Sequence, residues 1–414
     1  MTGAISEVDV AIIGGGLVGA TLACALIETD LSIVIIDPED QRKISFATEH
    51  DMRVSAITRA SQHIFESIGA WPGMLEQRVS AFRKMHVWEQ AGEGVLNSEV
   101  HFDSAELSEA QLGHIIENRV MLKSLYQRLE TAANVELLFG QRCQQMQQIE
   151  NKWQLQTGKR TVSANLLVGA DGSKSWVRQQ LGISTRGWDY DHSALVATVK
   201  TSEPHQHTAW QRFLDTGPLA FLPLLGNYSS IVWSTKPALA ERLQNLPEEQ
   251  FKLELELAYD SKLGQILEVG PRASFPLRFL MADNYIGTSA ALVGDAAHTM
   301  HPLAGQGVNL GLLDAASLAQ VIIEAKSLQR EFNSSKVLRR YERWRTAENM
   351  SMLVMVDQIQ RLFGSEVSWL KQLRNSGMHW FNRLPVIKHN AIDYAMGLHG
   401  DLPRIARHVQ IPIN

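Results

Sequence analysis

Two textures of apolar and polar residues alternate along the chain. Val8 to Ile13 (VDVAII) is a short, mostly apolar run, the pattern of a strand buried on both faces. Ala20 to Ile27 is Ala/Leu-rich and predicts a helix, and Leu31 to Asp37 (LSIVIID) predicts a second buried strand ending on an acid. Ser61 to Ile68 reads as helix. Lys84 to Glu89 (KMHVWE) alternates like a strand of a different sheet, and Leu112 to Leu125 reads as a loop entering a helix near Asn118 and Arg119. Val135 to Leu138, Trp153 to Thr157 and Leu166 to Val168 are strand candidates, with a helix beginning over Ser175 to Arg178. From Trp188 to Phe275 short alternating segments lie between turn residues, which predicts an antiparallel sheet with a Glu/Leu-rich helical insert at Ala238 to Ala258. Within it, Leu219 to Leu225 suits either plain core or the wall of an apolar pocket. Ala291 opens another buried strand, Leu312 to Ala325 continues as an apolar helix, and Arg339 to Arg345 (RRYERWR) reads as a solvated, charged helix with aromatic anchors.

Three strand ends carry glycine. Gly14, Gly16 and Gly19 form G-x-G-x-x-G between the first strand and the first helix, with Asp37 about 20 residues on. Gly14 permits a tight turn, Gly16 lets backbone approach a pyrophosphate, and Gly19 lets the helix pack close; the acid can accept from ribose hydroxyls. Asn165 to Arg178 (NLLVGADGSKSWVR) repeats a strand–turn–helix texture, with Asp171 and Gly172 in the turn; Asp171 can hold a ribose hydroxyl or cap the helix. Ala291 to Asp314 (ALVGDAAHTMHPLAGQGVNLGLLD) ends a strand on Gly294-Asp295 and passes through Gly305-Gln306-Gly307 into a helix, so its N–H groups can face an anionic ligand. Arg53, in DMRVSAI, is either a surface charge or a cation set beside the nucleotide.

Composition narrows the classes. The chain has 414 residues, 45% hydrophobic and 20% charged, enough for two domains and a sizeable core. A net charge of -5 argues against a nucleic-acid footprint. Two lone cysteines, Cys24 and Cys143, suit reduced core residues, and no metal-ligand spacing stands out, so no metal is expected. MTGAISEVDV lacks the features of a signal peptide, and no run of about eighteen apolar residues suggests a membrane span. The expected location is cytoplasmic. The tail from Lys371 to Asn414 holds six Lys/Arg and two Asp among apolar residues, so it suits either a helix docked on the body or peripheral contact with the inner membrane surface.

In order, GGGLVG, GADGS and GDAAH…HPLAGQGVNLG resemble the flavoprotein aromatic hydroxylases of the para-hydroxybenzoate hydroxylase type. RVSAI, LGHIIEN and WDYDHSALVAT extend the resemblance to the ubiquinone-biosynthesis hydroxylases. AMGLHGDLP near the end looks most like their polyprenylphenol-hydroxylase branch. The resemblance runs nearly end to end. It implies a mixed α/β fold: a Rossmann-like FAD-binding domain built from 1–75, 105–183 and 278–345. An antiparallel substrate sheet, 76–104 and 184–277, is inserted, and 346–414 forms a C-terminal helical region. It implies FAD, with NAD(P)H as transient reductant and O2 as co-substrate, acting through a flavin C4a-hydroperoxide on a polyprenylated phenol. Gly14, Gly16, Gly19 and Asp37 would bind the adenosine half, Arg53 and Asn118 the flavin or its phosphates, Asp171 and Gly172 the middle of the cofactor, and Gly294-Asp295 the ribityl chain. Pro302, Gly305, Gln306, Gly307, Val308 and Asn309 would line the flavin edge, with Pro302, Gly305 and Gln306 shaping the oxygen pocket. Asp37 stands where many relatives have Glu.

Other readings stay open at this level. A paralogous hydroxylase acting at another ring carbon, a hydroxylase of a small soluble aromatic, and a non-enzymatic prenyl-binding protein share parts of the pattern. His298 and His301 suit either a base for the phenol or a structural role. Homo-oligomerisation and association with other ubiquinone-biosynthesis proteins follow from the resemblance alone.

Overall fold

The computed structural model describes residues 5–43, 50–89, 99–107, 109–158, 160–299, 306–363, 393 and 396–407. Its strands form three sheets, numbered here along the chain. The first sheet holds β1 (Ile5–Ile13), β2 (Ile33–Asp37), β8 (Val135–Phe139), β9 (Cys143–Ile149), β10 (Lys152–Thr157), β11 (Thr161–Gly169), β17 (Ile286–Gly287) and β18 (Ala290–Leu292). Three short strands, β3 (Val54–Thr58), β4 (Val79–Phe82) and β7 (Gly113–Glu117), make the second. The third, eight-stranded like the first but the largest because its strands are longer, holds β5 (Lys84–Glu89), β6 (Glu99–Asp103), β12 (Thr185–Thr201), β13 (Thr208–Leu214), β14 (Gly217–Pro223), β15 (Tyr228–Thr235), β16 (Ile266–Ala282) and β19 (His298–Thr299).

Five strands of the first sheet run parallel in the order β18, β11, β1, β2, β8. Their central residues are apolar without alternation because helices α1 (Leu17–Ala25), α4 (Asn118–Glu130), α8 (Gln306–Ser327) and α9 (Ser335–Phe363) pack on the sheet; α2 (Arg59–Ser67), α3 (Trp71–Leu75) and α5 (Trp176–Gln180) are short. Val10, Ala11, Ile12, Val34 and Ile35 are fully buried, and each large aliphatic among them contributes about 1.5–3 kcal/mol relative to exposure. Helix α8 is apolar and long enough to cross a membrane, but here it is a core helix, mostly buried against α1 and α9. Cys24 and Cys143 are free and buried, and burial pushes their thiols up to about 12 and about 11, leaving little thiolate at neutral pH.

The largest sheet is antiparallel except where β13 meets β5. One face is sealed by α6 (Pro237–Asn245) and α7 (Glu248–Ala258), whose Leu243, Phe251 and Leu255 pack on Leu195, Phe221 and Ile231. The single helical insert read from the sequence is thus two helices, divided at Leu246-Pro247 because proline removes a backbone donor. Two further differences concern boundaries. Gly113–Glu117 is a buried strand rather than a loop, since its N–H and C=O groups pair with β3 and β4. The expected domain limit at 277/278 falls inside β16, and that at 345/346 falls inside α9.

Residues 396–407 fold back on the body: Ala406 C=O contacts the His63 ring at 3.2 Å, and Trp344 donates to Asp401 C=O at 2.7 Å. Most of the tail read as basic and amphipathic, including 364–392, lies outside the described residues.

Candidate active site

Ile13, Gly169 and Leu292 occupy one row across β1, β11 and β18. The three glycine motifs therefore leave the parallel sheet side by side, at its carboxyl edge, where open α/β sheets bind ligands. They also touch. Gly14 has φ +107°, and a Cβ there would lie 2.3 Å from Ala170 C=O, so first and middle motifs meet without room for a side chain. Val18 of α1 packs against Gly294 and Gly311, joining first and third. Arg178 donates to Ala296 C=O at 2.8 Å, joining middle and third.

Asp37 accepts the Gly15 N–H at 2.6 Å and the Glu39 N–H at 2.8 Å, one on each carboxylate oxygen. Tyr126, which lies in no motif, donates to Gly15 C=O at 2.6 Å and braces the loop from behind. The N-terminus of α1 has no side-chain cap and no acid in its first turn. A side chain at Gly16 or Gly172 would meet nothing within 4 Å, so both backbones face open space. Uncapped N–H groups over open space form the cradle that a pyrophosphate needs.

Asp171 accepts from the Ser175 hydroxyl at 2.5 Å and from Val177 N–H at 3.0 Å. It thus caps the short helix Trp176–Gln180 and fixes the middle turn.

In the third motif, Gly294 has φ +59° and opens a tight turn. Asp295 is exposed onto a recess walled by protein, and no described residue donates to its carboxylate. Scarcity of water around it pushes its carboxyl pKa up; His298 opposes that shift and Asp314 adds to it. Behind this turn is a buried ionic network. Asp314, 0% exposed, accepts from Gly294 N–H at 3.0 Å, Arg345 Nε at 2.8 Å and Asn349 Nδ2 at 3.1 Å, and pairs with His298 Nε2 at 2.5 Å. Burial alone would raise the Asp314 pKa; His298 and Arg345 beside it reverse the effect and hold it at about 2. His298 is therefore engaged as a structural partner of Asp314. Arg345, read from sequence as part of a solvated helix, is 1% exposed because its charge is matched inside the core.

Arg53 and Asn118 stand together where β3 begins and β7 ends. Asn118 N–H donates to Arg53 C=O at 2.9 Å, and Ser55 donates to Asn118 Oδ1 at 2.7 Å. Arg53 is exposed, its guanidinium 5.9 Å from the Phe275 ring. Buried Glu117 anchors this corner, pairing with Arg119 at 2.7 Å and Arg78 at 3.0 Å and accepting Asp51 N–H at 2.8 Å. Burial would raise the Glu117 pKa, but His50, the Asp51 N–H, Arg119 and Arg78 together bring it below the usual range. Glu117 lies inside LGHIIEN and Arg119 adjoins it, but nothing in the sequence marks either as an anchor.

Asn309 is buried, and its amide is committed to β3. It donates to Ala56 C=O at 2.8 Å and accepts from Thr58 N–H at 3.1 Å. Of its neighbours, Gly307 and Val308 lie in the first turn of α8, and Gln306 begins that helix. Pro302, Gly305 and His301 lie outside the described residues.

An uncapped helix end, open glycine backbones and a carboxylate to which no described residue donates fit an extended dinucleotide. The comparisons with known proteins agree. Residues 7–354 match the FAD binding domain family. The 3-demethoxyubiquinol 3-hydroxylase of Escherichia coli is 35% identical, over 94% of this chain and 98% of the relative. Ubiquinone hydroxylase UbiL of Rhodospirillum rubrum is 37% identical, over 99% and 95%. The human mitochondrial ubiquinone biosynthesis monooxygenase COQ6 is 33% identical, over 94% and 92%. Two solved structures share the fold. PqsL of Pseudomonas aeruginosa has TM-score 0.73 at 20% identity, covering 90% of this chain and 100% of that one. The p-nitrophenol 4-monooxygenase PnpA of Pseudomonas putida has TM-score 0.75 at 16% identity, covering 94% and 98%. The chain belongs to the FAD binding domain family and is an FAD-dependent monooxygenase, similar along nearly its whole length to ubiquinone hydroxylases.

Proposed function

We propose that this monooxygenase hydroxylates the ring of a polyprenylated phenol in ubiquinone biosynthesis, with NAD(P)H as transient reductant and O2 as co-substrate. The observation that carries the reading is an apolar cavity between the small sheet and the uncovered face of the largest one. Ala56 and Ile57 of β3, Phe82 of β4, Met85 of β5, Phe102 of β6 and Leu222 of β14 wall it. Thr58 also borders it, but its hydroxyl is already bonded within the protein, to Ser61 and Asn309. Such walls favour an apolar guest, at about 0.8 kcal/mol per buried CH2. Because Asn309 ties β3 to α8, the cavity stands directly behind the third motif.

Bound FAD supplies the oxygen activation, and this chain binds it, orients it and keeps water away. The α1 N-terminus with Gly14, Gly16 and Gly19 meets the pyrophosphate. Asp37 keeps a second lone pair on each oxygen for the ribose, and Asp295 accepts from ribityl hydroxyls. Arg53, Asn118, Asp171 and Gly172 flank the cofactor. The N–H groups of Gly307, Val308 and Asn309 at the α8 N-terminus, with Pro302, Gly305 and Gln306, border the flavin edge and favour negative charge there.

The relatives named as ubiquinone hydroxylases support the substrate class. The closing segment 395–403 favours a 2-polyprenylphenol, the substrate of the VisC/UbiI type, over demethoxyubiquinol. The same reading places the protein in the cytoplasm, its basic tail touching the membrane surface that holds such substrates, as a homo-oligomer among other enzymes of the pathway. Turnover of the purified protein with NAD(P)H, a polyprenylphenol and 18O2 tests the chemistry. One labelled oxygen in the product is expected, and label arriving only from water rejects it. The quinone intermediate that accumulates in cells lacking the protein names the ring carbon.

A further inference from the structure

The largest sheet has a second face at its β5–β6 edge, away from the cavity. Met85 and Phe102, a cross-strand pair, point into the cavity. Their neighbours His86 and His101, the next pair, therefore stand on the opposite face. Glu99 is two residues from His101 on β6 and shares that face. The three side chains converge. His86 Nε2 lies 3.0 Å and His101 Nε2 3.4 Å from the same Glu99 oxygen, Oε2, and the two imidazole centroids are 4.0 Å apart. One ligand atom from each residue falls within 4.8 Å of the others.

We propose that His86, Glu99 and His101 form a site for a divalent transition metal of the zinc class, separate from the flavin groove. Two imidazoles and a carboxylate are a ligand set that such ions prefer, leaving a fourth position for water. A tetrahedral zinc site needs metal–ligand distances of about 2.0–2.2 Å, which small rotations of three side chains on one hairpin can reach. The surroundings suit it. Lys262 Nζ lies 3.7 Å from Glu99 Oε1, leaving Oε2 for the metal and orienting the carboxylate from behind. The Trp210 and Trp88 rings flank His86 at 4.8 and 5.3 Å and keep the inner side dry. His101, with its side chain 57% exposed, gives the ion a route in from solvent. The bound ion would staple β5 to β6 behind the cavity wall that Met85 and Phe102 provide.

The test uses the purified, full-length, FAD-loaded protein, stripped with a chelator and titrated with Zn2+ against a chromophoric competitor. One Zn2+ per chain is expected, with a rise in Tm on saturation. His101→Ala and Glu99→Gln, which change partly exposed side chains, should each weaken binding by about tenfold or more and abolish the Tm rise. His207→Ala, an exposed histidine outside the cluster, should change neither. Substoichiometric zinc in the unaltered protein, or binding that both cluster variants leave unchanged, overturns the site.

Discussion

The groove at the sheet edge and the cavity behind it are built on opposite principles. Backbone makes the groove: Gly14, Gly16 and Gly172 matter for the side chains they lack, and helix ends supply the donors. Side chains make the cavity, drawn from β3, β4, β5, β6 and β14, and none of the three glycine motifs supplies a wall. A cofactor common to many enzymes is held by features that tolerate little change. A substrate particular to few is held by apolar surfaces that can be reshaped one residue at a time.

The largest effect expected from testing that contrast lies behind the groove. Asp314→Ala leaves Arg345 and His298 unmatched in the core, a loss of about 3–5 kcal/mol measurable by urea denaturation. The same residue sets an acid limit. Its folded pKa of about 2 lies below its ordinary value of 3.8, so the stability it contributes is present above the higher value and is lost as pH falls toward the lower. Denaturation curves from pH 5 to pH 2 should show this slope in the unaltered protein and a shallower one in Asp314→Asn. A groove that retains FAD without Asp314 would show that backbone alone sustains it.

Next comes Gly14→Val, which combines a left-handed φ with a collision against Ala170, about 2–3 kcal/mol of strain. The variant should purify without flavin, read from the ratio of 450 to 280 nm absorbance. Asp295→Ala removes a carboxylate with no described protein donor, so folding should be unchanged by circular dichroism. FAD binding should weaken roughly ten- to hundredfold by fluorescence titration, about 1.5–3 kcal/mol. Stoichiometric flavin in that variant would remove Asp295 from the groove. The smallest effect belongs to the cavity. Ala220→Phe, on the cavity face of β14, should raise KM for a prenylated phenol about tenfold and leave flavin content intact. Equal loss of flavin would erase the distinction between the two regions.

The same contrast explains what could be read from the sequence. Gly14-x-Gly16-x-x-Gly19 and Gly294-Asp295 were legible because a ligand held by backbone demands glycine at fixed spacing, and spacing is a sequence property. Residues 219–225 allowed core or pocket, and strand alternation makes both true: Leu219 and Phe221 enter the core under α7 while Ala220 and Leu222 face the cavity. Arg345 departs from its pattern because its partner Asp314 lies on another helix, and helical patterning alone assigns charge to solvent. Asn309 sits inside a recognisable motif, yet its amide holds β3, a contact 253 residues away along the chain. The meeting of His86 with Glu99 and His101 needed strand pairing, so metal-ligand spacing did not reveal it.

The row formed by Ile13, Gly169 and Leu292 also fixes an order of events. A ribosome releases the first glycine loop early, but β11 and β18, which carry the other two loops of the row, are made far later. The groove cannot close until β18 has docked, after most of the chain exists. Contacts of such sequence separation form slowly, and a half-built edge exposes apolar strands meanwhile. Capture of FAD therefore favours only molecules in which β18 has docked on β11 beside β1.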